Sequence, residues 1–301
     1  MKNHINGLVV FSMLILCSCA KSLHTGRQVS YSYYNTAEPI FRKASVPMKT
    51  GFAHNDYCHE HPLYDALENG FTNIEADIFL KNNKLIVAHI FPYFKEHRTL
   101  EALYLQPLFE RITKNGGKVY PGYDTPVILM IDIKTNAYNT YKALKPVLEK
   151  YKSILTGYEN GKVIYRAITI VLSGNKPYEL IKNEQNRLAF IDENIYKIPC
   201  YSVNDNLFTM ASCKYSDLIS WDGSGTISTS EKSTLCAFVA IAHKMGAKVR
   251  LWASPENEAV WSELLNCGVD LINTDELVAF KNYFIARQME VVNDKKTLSA
   301  N

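Results

Sequence analysis

Short apolar runs alternate with amphipathic segments along most of this chain, starting near residue 51. The run Val127-Ile128-Leu129-Met130-Ile131 is apolar at every position, which is typical of a strand buried on both faces in a parallel sheet. Eight such runs predict strands: Gly51–Asp56, Thr72–Leu80, Val127–Lys134, Ala167–Gly174, Arg187–Asp192, Leu218–Asp222, Lys248–Ala253 and Val269–Asp275. Lys84–His89 is predicted as a return strand in a short hairpin after Asn82-Asn83.

Amphipathic patterns predict helices between these strands. The segment from Pro62 to Gly70 has proline near its start and glycine after its end, an asymmetry that helix termini favour. Ser233–Lys244, Glu256–Leu265 and Asp275–Phe284 also have helical patterns. Eight strands alternating with helices predict an α/β fold of one domain, a (β/α)8 TIM barrel. A regular barrel is one expectation; the alternative is a barrel whose helices around strands five and six are irregular or missing.

The first residues of the chain have a different pattern. An apolar run from Leu8 to Leu16 follows Lys2; it is too short for the roughly 20 residues that span a bilayer but suits a secretory signal. The tetrad Leu16-Cys17-Ser18-Cys19 resembles a bacterial lipobox, which predicts cleavage after residue 18 and lipidation of Cys19. An ordinary signal peptide that contains cysteine is the alternative.

This interpretation divides the chain into a signal peptide over 1–18, a lipidated Cys19 with a tether over 19–47, the barrel over 48–290 and a polar tail over 291–301. It predicts a lipid-anchored protein of the bacterial cell envelope. No acidic cluster follows Cys19, so a periplasm-facing position at the outer membrane is favoured.

The charge of the chain bears on nucleic-acid binding, and its cysteine content bears on zinc sites and disulfide bonds. With 33 Lys+Arg against 30 Asp+Glu, the net charge of +3 and the lack of a basic run exclude a nucleic-acid binder. The cysteines after Cys19 are odd in number and contain no CxxC motif, so neither a zinc site nor a disulfide framework is predicted. A single pair can still form a bridge in an exported chain.

Candidate chemistry gathers at the carboxyl ends of the first three predicted strands, where the active sites of barrels form. The residues are His54 and Asn55 on the first strand, Glu75 and Asp77 on the second, His89 on its return strand, and Asp132 and Lys134 on the third. Crowded carboxylates need a positive partner, and an oxygen-rich set selects a hard cation, Ca²⁺ or Mg²⁺, rather than zinc. The alternative is that these acids form structural ion pairs with Lys134.

Four motifs, in this order and at these strand positions, carry a resemblance to a known superfamily: His54-Asn55-Asp56-Tyr57, Glu75-Ala76-Asp77, Ala88-His89 and Asp132-Ile133-Lys134. The chain resembles the TIM barrels of the superfamily of phosphatidylinositol phospholipase C and glycerophosphodiester phosphodiesterases. Within it, the chain is similar to the branch of altered inheritance of mitochondria protein 6. The resemblance covers residues 48–280 and includes segments 171–175, 250–255 and 272–275.

The resemblance implies a metal-dependent phosphoric diester hydrolase acting on a glycerophosphodiester- or phosphoinositide-like substrate. His54 and His89 would be the acid–base pair, and one divalent cation would be held by Asn55, Glu75, Asp77 and Asp132. Asn55 stands where glycerophosphodiesterases usually have arginine, and Asp132 stands where the relatives usually have glutamate. Both departures bear on the choice of substrate.

Four further residues are predicted to bind the substrate. Lys134 would contact a phosphate oxygen or balance the carboxylates. Ser173 and Asn175 would line the pocket, unless they only form a strand–helix turn, and Trp252 would be a wall for a glycerol or inositol ring, unless it is a core residue. The expected partners are a phosphodiester small molecule or lipid headgroup, and a membrane through the anchor. A phosphomonoesterase with the same site and a non-catalytic sugar-phosphate-binding lipoprotein stay open as alternatives.

Overall fold

Parallel strands close into a barrel in this protein. The computed structural model describes residues 46–89, 95–197 and 206–299, and the side chains of the last helix only as far as residue 290. Its strands are β1 (Met48–Ala53), β2 (Phe71–Lys81), β3 (Lys84–Val87), β4 (Val127–Ile133), β5 (Gly157–Glu159), β6 (Lys162–Ile164), β7 (Ile168–Gly174), β8 (Ala189–Asn194), β9 (Phe208–Lys214), β10 (Lys248–Trp252) and β11 (Leu271–Thr274).

Eight of these strands are the staves of the barrel. Hydrogen bonding runs in the order β1, β2, β4, β7, β8, β9, β10 and β11, and β11 pairs with β1, so the sheet closes. All of these pairings are parallel, whereas β3 returns antiparallel along β2 and β5 pairs with β6 in a separate hairpin. The predicted (β/α)8 barrel is confirmed, as is the hairpin after Asn82-Asn83.

Helices lie between the staves along the chain. They are α1 (Tyr64–Glu68), α2 (Gln106–Lys114, continuous with a π-helical turn at Glu101–Leu105), α3 (Ala137–Lys150), α4 (Tyr178–Lys182), α5 (Thr229–Lys244), α6 (Glu258–Asn266) and α7 (Leu277–Ser299). Helix α7 reaches Ser299, so it includes most of the segment predicted as a polar tail. Within the described ranges, no helix combines the length and apolar character needed to cross a bilayer.

The inside of the barrel has an apolar layer with a polar layer above it. The apolar layer is one buried cluster: Phe52, Ile128, Met130, Val171, Met210 and Leu271. Side chains two positions apart on a strand share a face, so the next inward positions toward the carboxyl ends are His54, Asp132, Ser173, Ser212 and Asn273. The barrel therefore presents a polar floor at the end where active sites of this fold lie.

The sixth stave differs from the prediction. It is β9, whereas the predicted strand Leu218–Asp222 follows a short 3-10 turn, Tyr215–Asp217. Strand β9 contains Ala211, Ser212 and Cys213, small residues that give a weak apolar signal. Ile219, by contrast, is buried in the core outside the barrel, which gives its segment the apolar pattern of a strand. Its burial by packing, without strand pairing, explains the error.

One disulfide bond joins Cys236 on α5 to Cys267 after α6. The sequence did not predict this pairing, because the two residues are brought together only when neighbouring helices pack on the barrel. The predicted signal peptide, the lipidation site Cys19 and nearly all of the tether lie outside the described residues, as do residues 198–205 between β8 and β9.

Candidate active site

Three carboxylates converge at the carboxyl ends of β2 and β4. Glu75 and Asp77 share the inner face of β2, and Asp77 is the register partner of Asp132 on β4. Each residue offers one oxygen, and these three oxygens lie within 4.8 Å of one another. Glu75 and Asp77 are only 4% and 1% exposed. Buried like charges at this spacing repel one another and need positive compensation.

Two cationic side chains supply part of that compensation. Lys134 Nζ lies 3.1 Å from Asp77 Oδ2 and 3.3 Å from Asp132 Oδ1. Arg250 is buried; one of its terminal nitrogens lies 3.6 Å from Glu75 Oε1, and the other lies 3.8 Å from Asp192 Oδ2. Because Arg250 is shared with Asp192, the acidic cluster keeps an excess of negative charge among these ion pairs.

The pKa values of this cluster reflect that excess. Burial raises the pKa of Asp132, and the negative charge of Glu75 raises it further, against the opposing effect of Lys134. Burial lowers the pKa of Lys134, but the charges of Asp77 and Asp132 outweigh burial and raise it overall. Lys134 is therefore firmly protonated, and the raised pKa of Asp132 means that added positive charge would favour its ionised form.

His54 lies between the acidic cluster and the end of β11. Its Nδ1 is 2.8 Å from Asp275 Oδ1, and its Nε2 is 3.6 Å from Glu75 Oε2. Burial lowers the pKa of His54, but the hydrogen bond to Asp275 and the negative charges of Glu75 and Asp275 raise it overall. This environment favours the protonated imidazolium, which is the form that can donate a proton.

His89 follows β3 and contacts the cluster from the other side. Its Nδ1 lies 3.1 Å from Asp77 Oδ2 and 3.1 Å from the hydroxyl oxygen of Tyr57. The Tyr57 hydroxyl is also 2.7 Å from Asp77 Oδ2 and 2.6 Å from Asn55 Oδ1. Burial and the charge of Asp77 raise the pKa of Tyr57, so the phenol keeps its proton.

The acidic cluster fits a divalent cation. Asp132 Oδ1 is buried and accepts no hydrogen bond of good geometry from the described residues, although Lys134 Nζ lies 3.3 Å away. Three converging carboxylates with unbalanced negative charge form an oxygen donor set of the kind that Ca²⁺ and Mg²⁺ prefer. The cluster could therefore hold such an ion.

Asn55 adopts a left-handed conformation with φ of 47° directly after β1. Its backbone N–H donates to Glu75 Oε2 at 3.3 Å, and its side-chain oxygen lies 2.6 Å from the Tyr57 hydroxyl oxygen. The turn thus brings Asn55 to the edge of the acidic cluster. Its role as a metal ligand stays a prediction.

The residues predicted to bind substrate have different surroundings. Ser173 is buried in the polar layer, where its hydroxyl donates to Asp192 Oδ2 at 3.4 Å. Asn175 is exposed in the turn after β7, and its amide donates to the Thr135 carbonyl at 3.2 Å. Trp252 ends β10 two residues after Arg250 and is 40% exposed, so it is not a core residue. Substrate contact by these residues and by Lys134 stays a prediction.

Three residues of the site were not assigned roles from the sequence: Tyr57, Asp275 and Arg250. Asp275 follows the last stave directly, a position where barrels place functional side chains, so a signal for it was present. Arg250 is buried against the face of Phe52, with its guanidinium carbon 4.5 Å from the ring centroid. The sequence places Arg250 on the predicted strand Lys248–Ala253, but its burial and its hydrogen bond to Asn273 Oδ1 follow only from the folded barrel.

The fold and the site define a (β/α)8-barrel protein with a candidate metal-binding centre at the carboxyl ends of its strands. The chain belongs to the AIM6-like phosphodiesterase family, because the model of the AIM6-like phosphodiesterase domain matches residues 41–192, half of the chain. The model of the glycerophosphoryl diester phosphodiesterase family matches residues 248–277. These matches confirm the resemblance found in the sequence.

Similar proteins carry the name altered inheritance of mitochondria protein 6. The one from Lachancea thermotolerans is 27% identical over 272 residues, which cover 75% of this chain and 63% of that protein, slightly less than two thirds of its length. The one from Saccharomyces cerevisiae (strain YJM789) is 27% identical over 323 residues, covering 86% of this chain and 81% of the relative. A crystal structure of a glycerophosphodiester phosphodiesterase from Parabacteroides distasonis matches with 12% identity and a TM-score of 0.49, covering 81% of this chain and 100% of that one.

The relatives contradict one set of predictions from the sequence. They are fungal proteins, so the prediction of a bacterial cell-envelope lipoprotein with a signal peptide, anchored at the periplasm-facing outer membrane, is wrong. The evidence for it was the apolar run from Leu8 to Leu16 after Lys2, together with a lipobox-like tetrad of four residues ending at Cys19. Four residues are too few to separate a lipidation signal from an apolar run that contains cysteines.

Proposed function

We propose that this protein is a phosphoric diester hydrolase that depends on one divalent cation, Ca²⁺ or Mg²⁺, and acts on a glycerophosphodiester- or phosphoinositide-like substrate. The observation that carries the proposal is the convergence of three carboxylate oxygens within 4.8 Å, flanked by His54 and His89, each of which contacts one of those carboxylates. Membership of a phosphodiesterase family supports the reaction class.

Glu75, Asp77 and Asp132 would hold the cation, with Asn55 as a further oxygen ligand. A divalent ion held there would neutralise a non-bridging phosphate oxygen and acidify a nearby hydroxyl or water. Lys134 would neutralise a second phosphate oxygen; the position of its ammonium group beside two of the three carboxylates supports this role.

His54 is assigned as the proton donor because its environment raises its pKa. It gives a proton to the leaving oxygen as the phosphorus–oxygen bond breaks. His89 is assigned as the base that takes the proton from the attacking hydroxyl or water as the new phosphorus–oxygen bond forms. If the substrate carries a hydroxyl next to the phosphate, internal attack gives a cyclic phosphate first, and water opens it in a second step.

The test is hydrolysis of bis-p-nitrophenyl phosphate and of a glycerophosphodiester by the purified protein, with and without EDTA. Diester turnover that EDTA abolishes and that Ca²⁺ or Mg²⁺ restores is expected. Faster release from p-nitrophenyl phosphate, the monoester, would favour a phosphatase and overturn the proposal. Absence of turnover on every substrate would overturn the assignment as an enzyme.

The roles of the histidines are tested by His54→Ala and His89→Ala, each expected to remove turnover while the protein stays folded. His243→Ala is a matched control, because His243 pairs with Asp270 at 2.8 Å but lies on α5 at the surface. A full rate in either of the first two variants would contradict the assignment.

A further inference from the structure

The hydroxyl of Tyr57 contacts three side chains of the candidate site. The hydroxyl oxygen lies 2.6 Å from Asn55 Oδ1, 2.7 Å from Asp77 Oδ2 and 3.1 Å from His89 Nδ1. The Tyr57 and His89 rings are nearly parallel, with an angle of 17° and centroids 6.3 Å apart. Tyr57 is 4% exposed, so water does not compete freely for these contacts.

Counting hydrogens identifies which nitrogen of His89 carries its proton. A phenol has one hydrogen to donate, and the two oxygens lie closer to it than the ring nitrogen. His89 Nδ1 also lies 3.1 Å from Asp77 Oδ2, which has no hydrogen when ionised. A lone pair on Nδ1 would therefore face two oxygen atoms, whereas a hydrogen on Nδ1 satisfies both contacts. These contacts call for a hydrogen on Nδ1, and in the neutral imidazole Nε2 then carries the lone pair.

Asp77 Oδ2 is the shared acceptor for the Tyr57 hydroxyl, the His89 imidazole and a third group, the Lys134 ammonium. Besides Tyr57 and His89, it has Lys134 Nζ at 3.1 Å. If the hydroxyl of Tyr57 were removed, this carboxylate could turn toward the ammonium group and away from the imidazole. The phenol thus opposes Lys134 and keeps Asp77 within reach of His89.

We propose that Tyr57 is a positioning residue whose hydroxyl holds Asp77 and His89 together and so keeps His89 in the Nδ1–H tautomer, with Nε2 available to accept a proton. The last step, the use of Nε2 as a base, rests on the proposed phosphodiesterase function. The tautomer itself depends only on the geometry of the four side chains.

The direct test is the tautomer of His89 in the metal-free protein labelled with ¹⁵N-histidine, measured by long-range ¹H–¹⁵N correlation at a pH where the imidazole is neutral. The His89→Gln spectrum assigns the signal. Wild-type protein should show Nδ1–H. In Tyr57→Phe, which keeps the ring contact and removes only the hydroxyl, the ratio of Nδ1–H to Nε2–H should fall roughly 5-fold, as expected for the loss of one hydrogen bond.

The kinetic consequence is a kcat reduced by about 10–100-fold in Tyr57→Phe, the range found when partners of site residues are removed, with little change in KM. Tyr120→Phe is the matched control: Tyr120 is also buried, but its hydroxyl oxygen lies 2.7 Å from the Phe71 carbonyl oxygen and 3.1 Å from that of Leu67, beside the start of β2. It should lower stability while leaving the tautomer ratio and kcat unchanged.

Two results would overturn the proposal. One is an Nε2–H tautomer of His89 in the wild-type protein, which needs no variant and so remains decisive if Tyr57→Phe fails to fold. The other is a Tyr57→Phe variant with the tautomer ratio and kcat of the wild type. Failure of the wild type to hydrolyse any diester would instead remove the proposed function, and the tautomer measurement would still decide the role of Tyr57.

Discussion

Because Gly174 has no side chain, it leaves room for the carboxylate of Asp132. It ends β7 with a φ of +66°, in the left-handed region that glycine enters readily. A Cβ atom added here would overlap Asp132 Oδ1 and lie 2.7 Å from the Ile133 carbonyl oxygen. That carbonyl is fixed, because it accepts from the Asn175 N–H at 2.9 Å. Gly174→Ala therefore combines backbone strain with displacement of the Asp132 carboxylate.

The Gly116→Ala variant separates the backbone strain from the displacement of the Asp132 carboxylate. The φ of Gly116 is also +66°, but an added Cβ meets no atom within 4 Å. A left-handed alanine costs roughly 1–2 kcal/mol at either position, and forced contact with packed atoms adds roughly 1–3 kcal/mol at Gly174 alone. Gly174→Ala should therefore be less stable than Gly116→Ala by roughly 1–3 kcal/mol, which corresponds to roughly 2–4 °C in Tm for each kcal/mol in a domain near this size.

The assay has two readouts, urea unfolding and calorimetric titration of the metal-free protein with Ca²⁺ and with Mg²⁺. Gly116→Ala should bind the cation like the wild type. Gly174→Ala should bind it about 10-fold more weakly or worse, since even partners of metal ligands contribute about 10–100-fold to affinity. Equal stability and equal cation affinity of the two variants would refute the reasoning, because Asp132 would then not be a ligand held at this position.

Lys134→Met should tighten divalent-cation binding severalfold, because it removes a positive charge 3.3 Å from Asp132 Oδ1; weaker binding by calorimetry would contradict this. Burial raises the pKa of Asp56 from its ordinary value of 3.8 to about 7, so the protonated form is stabilised on folding. The stability from this group is complete below pH ~4 and falls by about 4 kcal/mol as pH rises to ~7. Asp56→Asn should lose this decline, and an unchanged pH dependence in urea unfolding would refute it. Reduction of the bond between Cys236 and Cys267, which are 31 residues apart, should lower the free energy of unfolding by about 3–4 kcal/mol. Unfolding with and without reductant measures this, and no difference would show that the bond does not form.

Local sequence patterns predicted most of the barrel, because a stave buried on both faces is apolar along its length. The pattern failed at β9, whose small residues carry little apolar signal. It also missed the hairpin of β5 and β6, although the turn between them contains Asn160-Gly161, both with positive φ. That dipeptide is a strong hairpin signal. The hairpin could therefore have been predicted from the sequence, whereas β9 has no comparably strong local signal.

The candidate site was predicted as far as single strands could show it. Glu75 with Asp77, and Asp132 with Lys134, follow from the two-residue alternation and from the rule that barrel sites lie at strand ends. Asp275 is 221 residues from His54 and reaches it only because β11 pairs with β1. Such contacts depend on closure of the sheet, and no local pattern contains that information.

The charges at the candidate site predict that the cation binds before the phosphodiester. Arg250 lies 3.6 Å from Glu75 but is shared with Asp192, so the acidic cluster at the carboxyl ends of β2 and β4 keeps an excess of negative charge. A phosphodiester is an anion, so it meets a region of excess negative charge unless a cation already occupies the cluster. A non-hydrolysable diester analogue should therefore bind the metal-free protein at least about 10-fold more weakly than the protein loaded with Ca²⁺ or Mg²⁺, a difference of roughly 1.4 kcal/mol. Glu75→Gln, which removes one charge from the cluster, should reduce that difference by strengthening binding to the metal-free protein. Equal affinity with and without the cation would mean that Lys134 and Arg250 already neutralise the carboxylates, and the acidic cluster would then have no need of a metal.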